Sequence, residues 1–361
     1  MRRFVQDTPI VEQILDLGRW SPSGDNAQPW KFEIIDDRHI VIHGHDTRTH
    51  CIYDLDGRAS QISLGALIET ITIGATRFGL KTEIVRRVNM PDDSPTFDVA
   101  FEDCPNTHES PLVPVIPSRC VQRRPLSTRS LTAAEKDKLQ VAVGAGYTLH
   151  WLEGSSNRFK VAKILFTNAR LRLRLPEAFE THTSAIKWRS QFSETEIPDQ
   201  SLGASKLTLR IMEVVMRKWE RVDFFNKYMG GTLAPAIEMD FIPNIACGAH
   251  FIIVAKTPAT TIDDYVNAGR ALQRFWLTAA KIGLQLQPEL TPLIFSRYDR
   301  DGIQLTKLPK LNQKAQQIKN GLVDLVGHDI ALNAVFMGRI GAGKPAQSRS
   351  IRKPLADLMV R

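Results

Sequence analysis

The stretch Arg19-Trp20-Ser21-Pro22-Ser23-Gly24-Asp25-Asn26-Ala27-Gln28-Pro29-Trp30 decides what this 361-residue chain folds into. A Pro-Ser-Gly turn exposes backbone donors and a hydroxyl, and Gly24 lets a flat ligand approach closely. Asn26 and Gln28 add side-chain amides that can read carbonyl and imide edges. Pro29-Trp30 anchors the loop to a strand. Such a surface suits a planar heteroaromatic ring with polar edges.

Outward from this loop the pattern is regular. Residues 9–17 read as a short amphipathic helix with Ile10, Ile14 and Leu17 on one face. Residues 31–35 and 39–43 alternate as strands around an Asp36-Asp37 turn. Apolar residues recur at helical spacing over 60–80, with Gly79 where a C-cap belongs.

That helix has an echo. Gly65-Ala-Leu-Ile-Glu-Thr-Ile-Thr-Ile-Gly-Ala75-Thr-Arg-Phe-Gly79-Leu80 aligns without a gap on Gly269-Arg-Ala-Leu-Gln-Arg-Phe-Trp-Leu-Thr-Ala279-Ala-Lys-Ile-Gly283-Leu284. A shorter echo relates Arg3-Phe-Val5-Gln6-Asp7-Thr-Pro9-Ile10 to Arg119-Cys-Val121-Gln122-Arg123-Arg-Pro125-Leu126. Two matches in the same order predict an internal duplication. The halves would be residues 1–110 and 111–361. The offset grows from 116 (119 − 3) to 204 (269 − 65), so the second half carries an insertion. Residues 171–233, rich in helix formers and aromatics, are the expected insertion and read as a helical cover.

Bulk properties narrow the classes. An apolar fraction of 43% is ordinary for a globular chain. No apolar run reaches membrane-span length, and no signal-peptide core follows the first residues, which predicts a cytoplasmic protein without a membrane partner. The four cysteines, Cys51, Cys104, Cys120 and Cys247, form no C-x-x-C, which argues against a zinc site or a disulfide framework. A net charge of +8 is dispersed in short groups with no nucleic-acid module, so no nucleic-acid partner is expected. His43-Gly-His45 with His50-Cys51 reads as an exposed hairpin strand rather than a metal cluster. Gly338-Arg-Ile-Gly-Ala-Gly343-Lys344-Pro345 lacks the hydroxyl residue of a phosphate loop and reads as the end of a strand. Arg170, Arg172 and Arg174 alternate with leucines as a solvated face would.

The loop at 19–30 resembles the Ala-Pro-Ser-x-x-Asn-x-Gln-Pro-Trp segment of the nitroreductase superfamily, which packs along the isoalloxazine of FMN. Arg119-Cys120-Val121-Gln122-Arg123 resembles that family's Arg-x-Ser-x-Arg phosphate-and-ribityl segment, with Val121 in place of serine. Residues 268–288 resemble its central helix and the turn that meets the flavin N5, around Gln287, Pro288, Glu289 and Leu290. Arg339-Ile340-Gly341, then Arg349, Arg352 and Lys353, resembles the tail that returns a cation to the phosphate.

The resemblance implies an α+β chain of two pseudo-symmetric nitroreductase-like halves, with antiparallel-rich sheets flanked by helices and a helical lid. It implies FMN as cofactor, one per chain, held by Pro22, Ser23, Gly24, Asn26 and Gln28 from the first half and by Arg119, Cys120, Val121 and Arg123 from the second. The corresponding loop of the second half, near 143–151, is degenerate. Arg119, Arg123 and Arg352 would grip the phosphate. The expected activity is hydride transfer from NAD(P)H to a small electron acceptor such as a nitroaromatic or quinone, with no side-chain catalyst and no metal. Alternatives are an FMN-dependent dehydrogenase or oxidase of a biosynthetic intermediate, and an FMN-sequestering protein. A monomer and a homodimer both fit a duplicated chain.

Overall fold

The structure, a computed structural model, describes residues 8–360. Residues 3–7 of the shorter echo lie outside them. Helix α1 (Ile10–Gly18) buries Ile14 and Leu17 but leaves Ile10 exposed at its first turn. Strands β1 (Trp30–Asp36) and β2 (His39–Gly44) form the expected hairpin. Helix α2 (Arg58–Ala75) is buried throughout residues 60–71. Its N-terminal donors are met by Asp54, which accepts from the Ser60 N–H at 3.1 Å and the Ser60 hydroxyl at 2.6 Å. A short 3₁₀ turn follows, and Gly79 closes it in the left-handed conformation, φ 67°. Strands β3 (Leu80–Arg86) and β4 (Thr96–Asp103) complete a sheet of order β1-β2-β4-β3, antiparallel throughout.

The second half has the same element order. Helix α3 (Ala133–Val143), started by a Thr132/Glu135 capping box, leads into β5 (Tyr147–Leu152). After a long helical excursion come β6 (Ala249–Ala255), a helix at Ile262–Lys281, β7 (Leu284–Pro288) and β8 (Ala334–Ala342). The sheet order is β5-β6-β8-β7, again antiparallel. Residues 338–342 are therefore strand and form no phosphate loop.

The excursion between β5 and β6 is wider than 171–233. It contains α4 (Gly154–Arg172), α5 (Pro176–Ala185), α6 (Lys206–Val215) and α7 (Trp219–Tyr228). The Ile262–Lys281 helix is α8. A second excursion, unforeseen in the sequence, separates β7 from β8 and contains α9 (Thr291–Arg300) and α10 (Pro309–Val326). The two excursions share a core of Leu171, Leu175, Ala178, Ile294, Phe295 and Ile318.

Each sheet packs on its own long helix, and α2 and α8 join the two cores. Ile262 and Val266 of α8 enter the first core, and Ile62 of α2 enters the second. Gly65 and Gly269 make this crossing close. Glu69 on α2 pairs with Arg270 of α8 at 2.8 Å.

Candidate functional site

The loop after α1 is held in an uncommon backbone shape. Asp25, Asn26 and Gln28 have φ of 49°, 62° and 53°, a left-handed region that side chains other than glycine occupy sparingly. The surroundings enforce it. Ser23 Oγ accepts the Gln28 N–H at 3.0 Å. Asn26 Nδ2 donates to the carbonyls of Glu194 at 3.0 Å and Ile351 at 3.1 Å. Gln28 Nε2 donates to Glu194 O at 2.8 Å, and its Oε1 accepts the Lys353 N–H at 3.0 Å. Both ends of the Gln28 amide are thus engaged by backbone, so this residue positions the loop and does not line the cavity.

That loop borders a cavity of about 560 Å³, a size suited to a small organic ligand. Pro22, Ser23, Gly24 and Asn26 line it from the first half. Arg119, Cys120, Val121, Arg123, Gln287, Pro288, Glu289, Leu290, Arg349 and Arg352 line it from the second. Fourteen of the fifteen residues expected from the sequence therefore meet there, Gln28 being the exception. The second half has no comparable loop, since only residues 144–146 separate α3 from β5.

At one end lie Arg119, Arg349 and Arg352. None forms an ion pair with a carboxylate among the described residues. Arg352 Nε donates to Ser21 O at 2.8 Å, and an Arg119 guanidinium N–H donates to Trp20 O at 2.8 Å. Arg119 also stacks on Trp276 at 4.5 Å, and Arg349 on Trp20 at 5.3 Å. Arg119 and Arg352 are buried. Burial pulls the Arg119 guanidinium down to about 10. Burial first, then the charges of Arg119, Arg349 and Arg19, hold Arg352 well below the usual arginine range. An uncompensated buried cation costs several kcal/mol, so this end is built for an anion.

Arg123 lies apart from that trio. Burial lowers it to about 10, and the largest charges bearing on it are those of Asp25 and Arg339. Arg339, buried in β8, lines the cavity and stands 3.6 Å from Glu289 Oε1. It donates to the carbonyls of Arg123 at 2.7 Å and Arg124 at 3.2 Å and so fixes the 122–124 segment. Val121 bridges Leu286 of β7.

The rest of the cavity is lined largely from the excursions, and little in the sequence points to it. Arg172 is no solvated residue: it donates to Asp240 at 3.1 Å and lines the cavity. Burial pushes the Asp240 carboxyl up to about 6. Burial, and then Arg172, depress His182 to about 3, so the ring is neutral and Tyr53 donates its hydroxyl proton to His182 Nε2 at 2.6 Å. Asp25 is raised by burial against the pull of Arg123 and Arg172.

Seven buried side-chain atoms on cavity-lining residues lack a hydrogen-bond partner: Asn26 Oδ1, Arg119 Nε, Asn168 Oδ1, Arg172 Nε, Asn244 Oδ1, Gln287 Oε1 and Glu289 Oε1. Native interiors seldom leave such groups unmet, and among the described residues they gather in the shell around this cavity. Among the described residues no group of three or more His, Cys, Asp or Glu is placed to hold a metal ion, the four cysteines are free, and no helix is long and apolar enough to cross a membrane.

No protein-family model matches the chain, and no curated protein matches it. Among solved structures it is similar to the crystal structure of a nitroreductase-like family protein from Bacillus cereus, at 13% identity and a TM-score of 0.34, over 70% of this chain and 96% of that one. At that level the functional case stands on the cavity's own residues.

Proposed function

We propose that the protein is an FMN-dependent oxidoreductase of the nitroreductase type, built from two copies of one half and holding one flavin per chain. The observation that carries this reading is the meeting of Arg119, Arg349 and Arg352, without a carboxylate, beside the Pro22-Ser23-Gly24 turn. Planar guanidinium donors suit a phosphate. Asn26 Oδ1 and Gln287 Oε1 would accept from the N–H edge of a ring, and the Ser23 hydroxyl would donate to a carbonyl. Leu272, Trp276 and Phe336 would cover an apolar face and exclude water.

FMN, when bound, would supply the two-electron chemistry that links NAD(P)H to a nitroaromatic, quinone or similar conjugated acceptor. The chain's task is to grip the phosphate, orient the ring and enclose the second ligand. Thr181, His182, Ile197, Met212 and Met216, all from the first excursion, line the cavity and would serve as its cover. The matching order of the two sheets and the reciprocal glycines of α2 and α8 support the duplication.

The test is the visible absorption spectrum of the purified protein before and after FMN addition, then after NADPH or NADH without oxygen. A yellow protein bleached by either nicotinamide supports the reading. A colourless protein that takes up no FMN overturns it. Bleaching by dithionite but by neither nicotinamide would keep the flavin site and remove the reductase.

A further inference from the structure

Helices α6 and α7 bury almost nothing. Thr208 is the single buried residue of the two, and several of their large apolar side chains face solvent. Leu207, Ile211 and Val214 recur at i, i+4 and i+7 on one face of α6 and are exposed, Leu207 to 69%. Phe224 and Tyr228 are exposed on α7 with ring centroids 5.1 Å apart, and Met229 follows them into solvent. Arg221 of α7 donates to Val214 O at 3.1 Å, so the two faces adjoin. Among the described residues, nine of the nineteen exposed large apolar side chains fall within 207–245, about a ninth of the chain. Exposed apolar residues scattered singly are ordinary, whereas a contiguous set marks an interaction surface.

The charges around this face are nearly all of one sign. Of the seven exposed charged residues between 206 and 228, six are cations, Lys206, Arg210, Arg217, Lys218, Arg221 and Lys227, and one is an acid, Glu220. The other two acids are half-buried and engaged, Glu213 by Arg189 at 2.9 Å and Asp223 by Lys227 at 2.6 Å. A second copy of the chain seated here about a two-fold axis would set the cations against themselves. A nucleic acid would meet the cations but leave Leu207, Ile211 and Val214 without an apolar partner. An anionic bilayer answers both, with acyl chains for the apolar side chains and headgroup phosphates for the cations. No described helix is long and apolar enough to cross a membrane, which bears on spanning and leaves a helix free to lie at the surface.

We propose that the exposed faces of α6 and α7 dock the protein on an anionic lipid surface, with Leu207, Ile211 and Val214 sunk into the headgroup layer and the flanking cations on its phosphates. The long lysine and arginine stems let the charges stay at the phosphates while the apolar side chains go deeper. Met212, on the other side of α6, lines the cavity, so docking brings the cavity within one helix of the lipid. The inference holds whatever the cavity binds.

Flotation of the full chain with lipid vesicles tests it. Phosphatidylcholine vesicles with roughly one-third phosphatidylglycerol should bind the protein about tenfold or more tighter than phosphatidylcholine alone, and about 0.5 M salt should weaken that binding about tenfold. Leu207→Gln with Ile211→Gln should weaken it about tenfold at unchanged charge, and Arg210→Gln with Lys218→Gln about tenfold at unchanged apolar area. All four sites are exposed, so both pairs should keep the fold, as read by circular dichroism. The emission of Ile211→Trp should shift to the blue on the anionic vesicles and not on phosphatidylcholine. Absence of flotation with the anionic vesicles, flotation unaffected by the Leu207 and Ile211 pair, or a dimer in size exclusion that this pair dissolves overturns the proposal.

Discussion

Gly65 and Gly269 face each other where α2 crosses α8, and a Cβ on Gly65 would lie 1.9 Å from Val266 O, a Cβ on Gly269 2.0 Å from Ile62 O. The relation is reciprocal, because the residues that oppose the glycines are themselves 204 apart (266 − 62), the same offset as the glycines (269 − 65). Neither obstacle is a flexible side chain, so the helices must separate to admit a methyl group. Gly65→Ala and Gly269→Ala should each lower the free energy of unfolding by about 1–3 kcal/mol or more, read from urea titrations. A loss under about 0.5 kcal/mol would show that the helices yield.

Gly24 presents the opposite case. A Cβ there meets nothing within 4 Å, and the residue lines the cavity. Gly24→Val should therefore change stability by less than about 0.5 kcal/mol while weakening FMN binding tenfold or more, on the order of 1.4 kcal/mol. Flavin content after dialysis measures it. An unchanged content would remove the loop from the binding face.

The like-charged trio gives a third expectation. With FMN at a hundredfold excess over its Kd, the free energy of unfolding should rise by about 2.7 kcal/mol. Arg352→Leu should abolish that rise without destabilising the ligand-free protein by as much, since it also removes repulsion from Arg119 and Arg349. A variant that keeps the full FMN-dependent shift would place the anion elsewhere.

His250 sets a pH dependence. Glu289, and hydrogen bonds from the imidazolium, outweigh burial and raise the ring from 6.5 to about 10. A group whose folded value is raised contributes stability that is complete below about pH 6.5 and is lost as pH rises through about 10. Stability should thus decline between those limits, and His250→Gln should flatten the decline. Asp240 titrates lower, between 3.8 and about 6, and leaves that window clear. Imidazole NMR shifts that show a neutral ring at pH 8 would contradict the assignment.

Much of the scaffold was legible because it is locally encoded. The 30–44 hairpin, the long helices and the Pro-Ser-Gly loop each announce themselves through period or turn chemistry. The arginine end of the cavity was legible through motif. Its other part was not, because Tyr53, Arg172, His182 and Asp240 meet only through contacts between distant segments. Arg172, set among leucines, reads as a solvated face until Asp240, 68 residues on, is placed against it. Gln28 misled for a related reason. Its amide fits a ligand's edge as well as it fits the backbone of Glu194 and Lys353, and only the fold brings those within reach. The second excursion escaped notice since the duplicated segments stop at Leu284, before it begins.

The tie between Arg352 and Ser21 spans 331 residues, and Asn26 and Gln28 are fastened to the same late segment. During synthesis, the first sheet and its helices emerge and can collapse long before their partners at 349–353 leave the ribosome. The loop can take its left-handed shape only after that. Loading of any ligand must accordingly wait until residues 349–353 have been made, and a nascent chain stalled short of Ser350 would have no site.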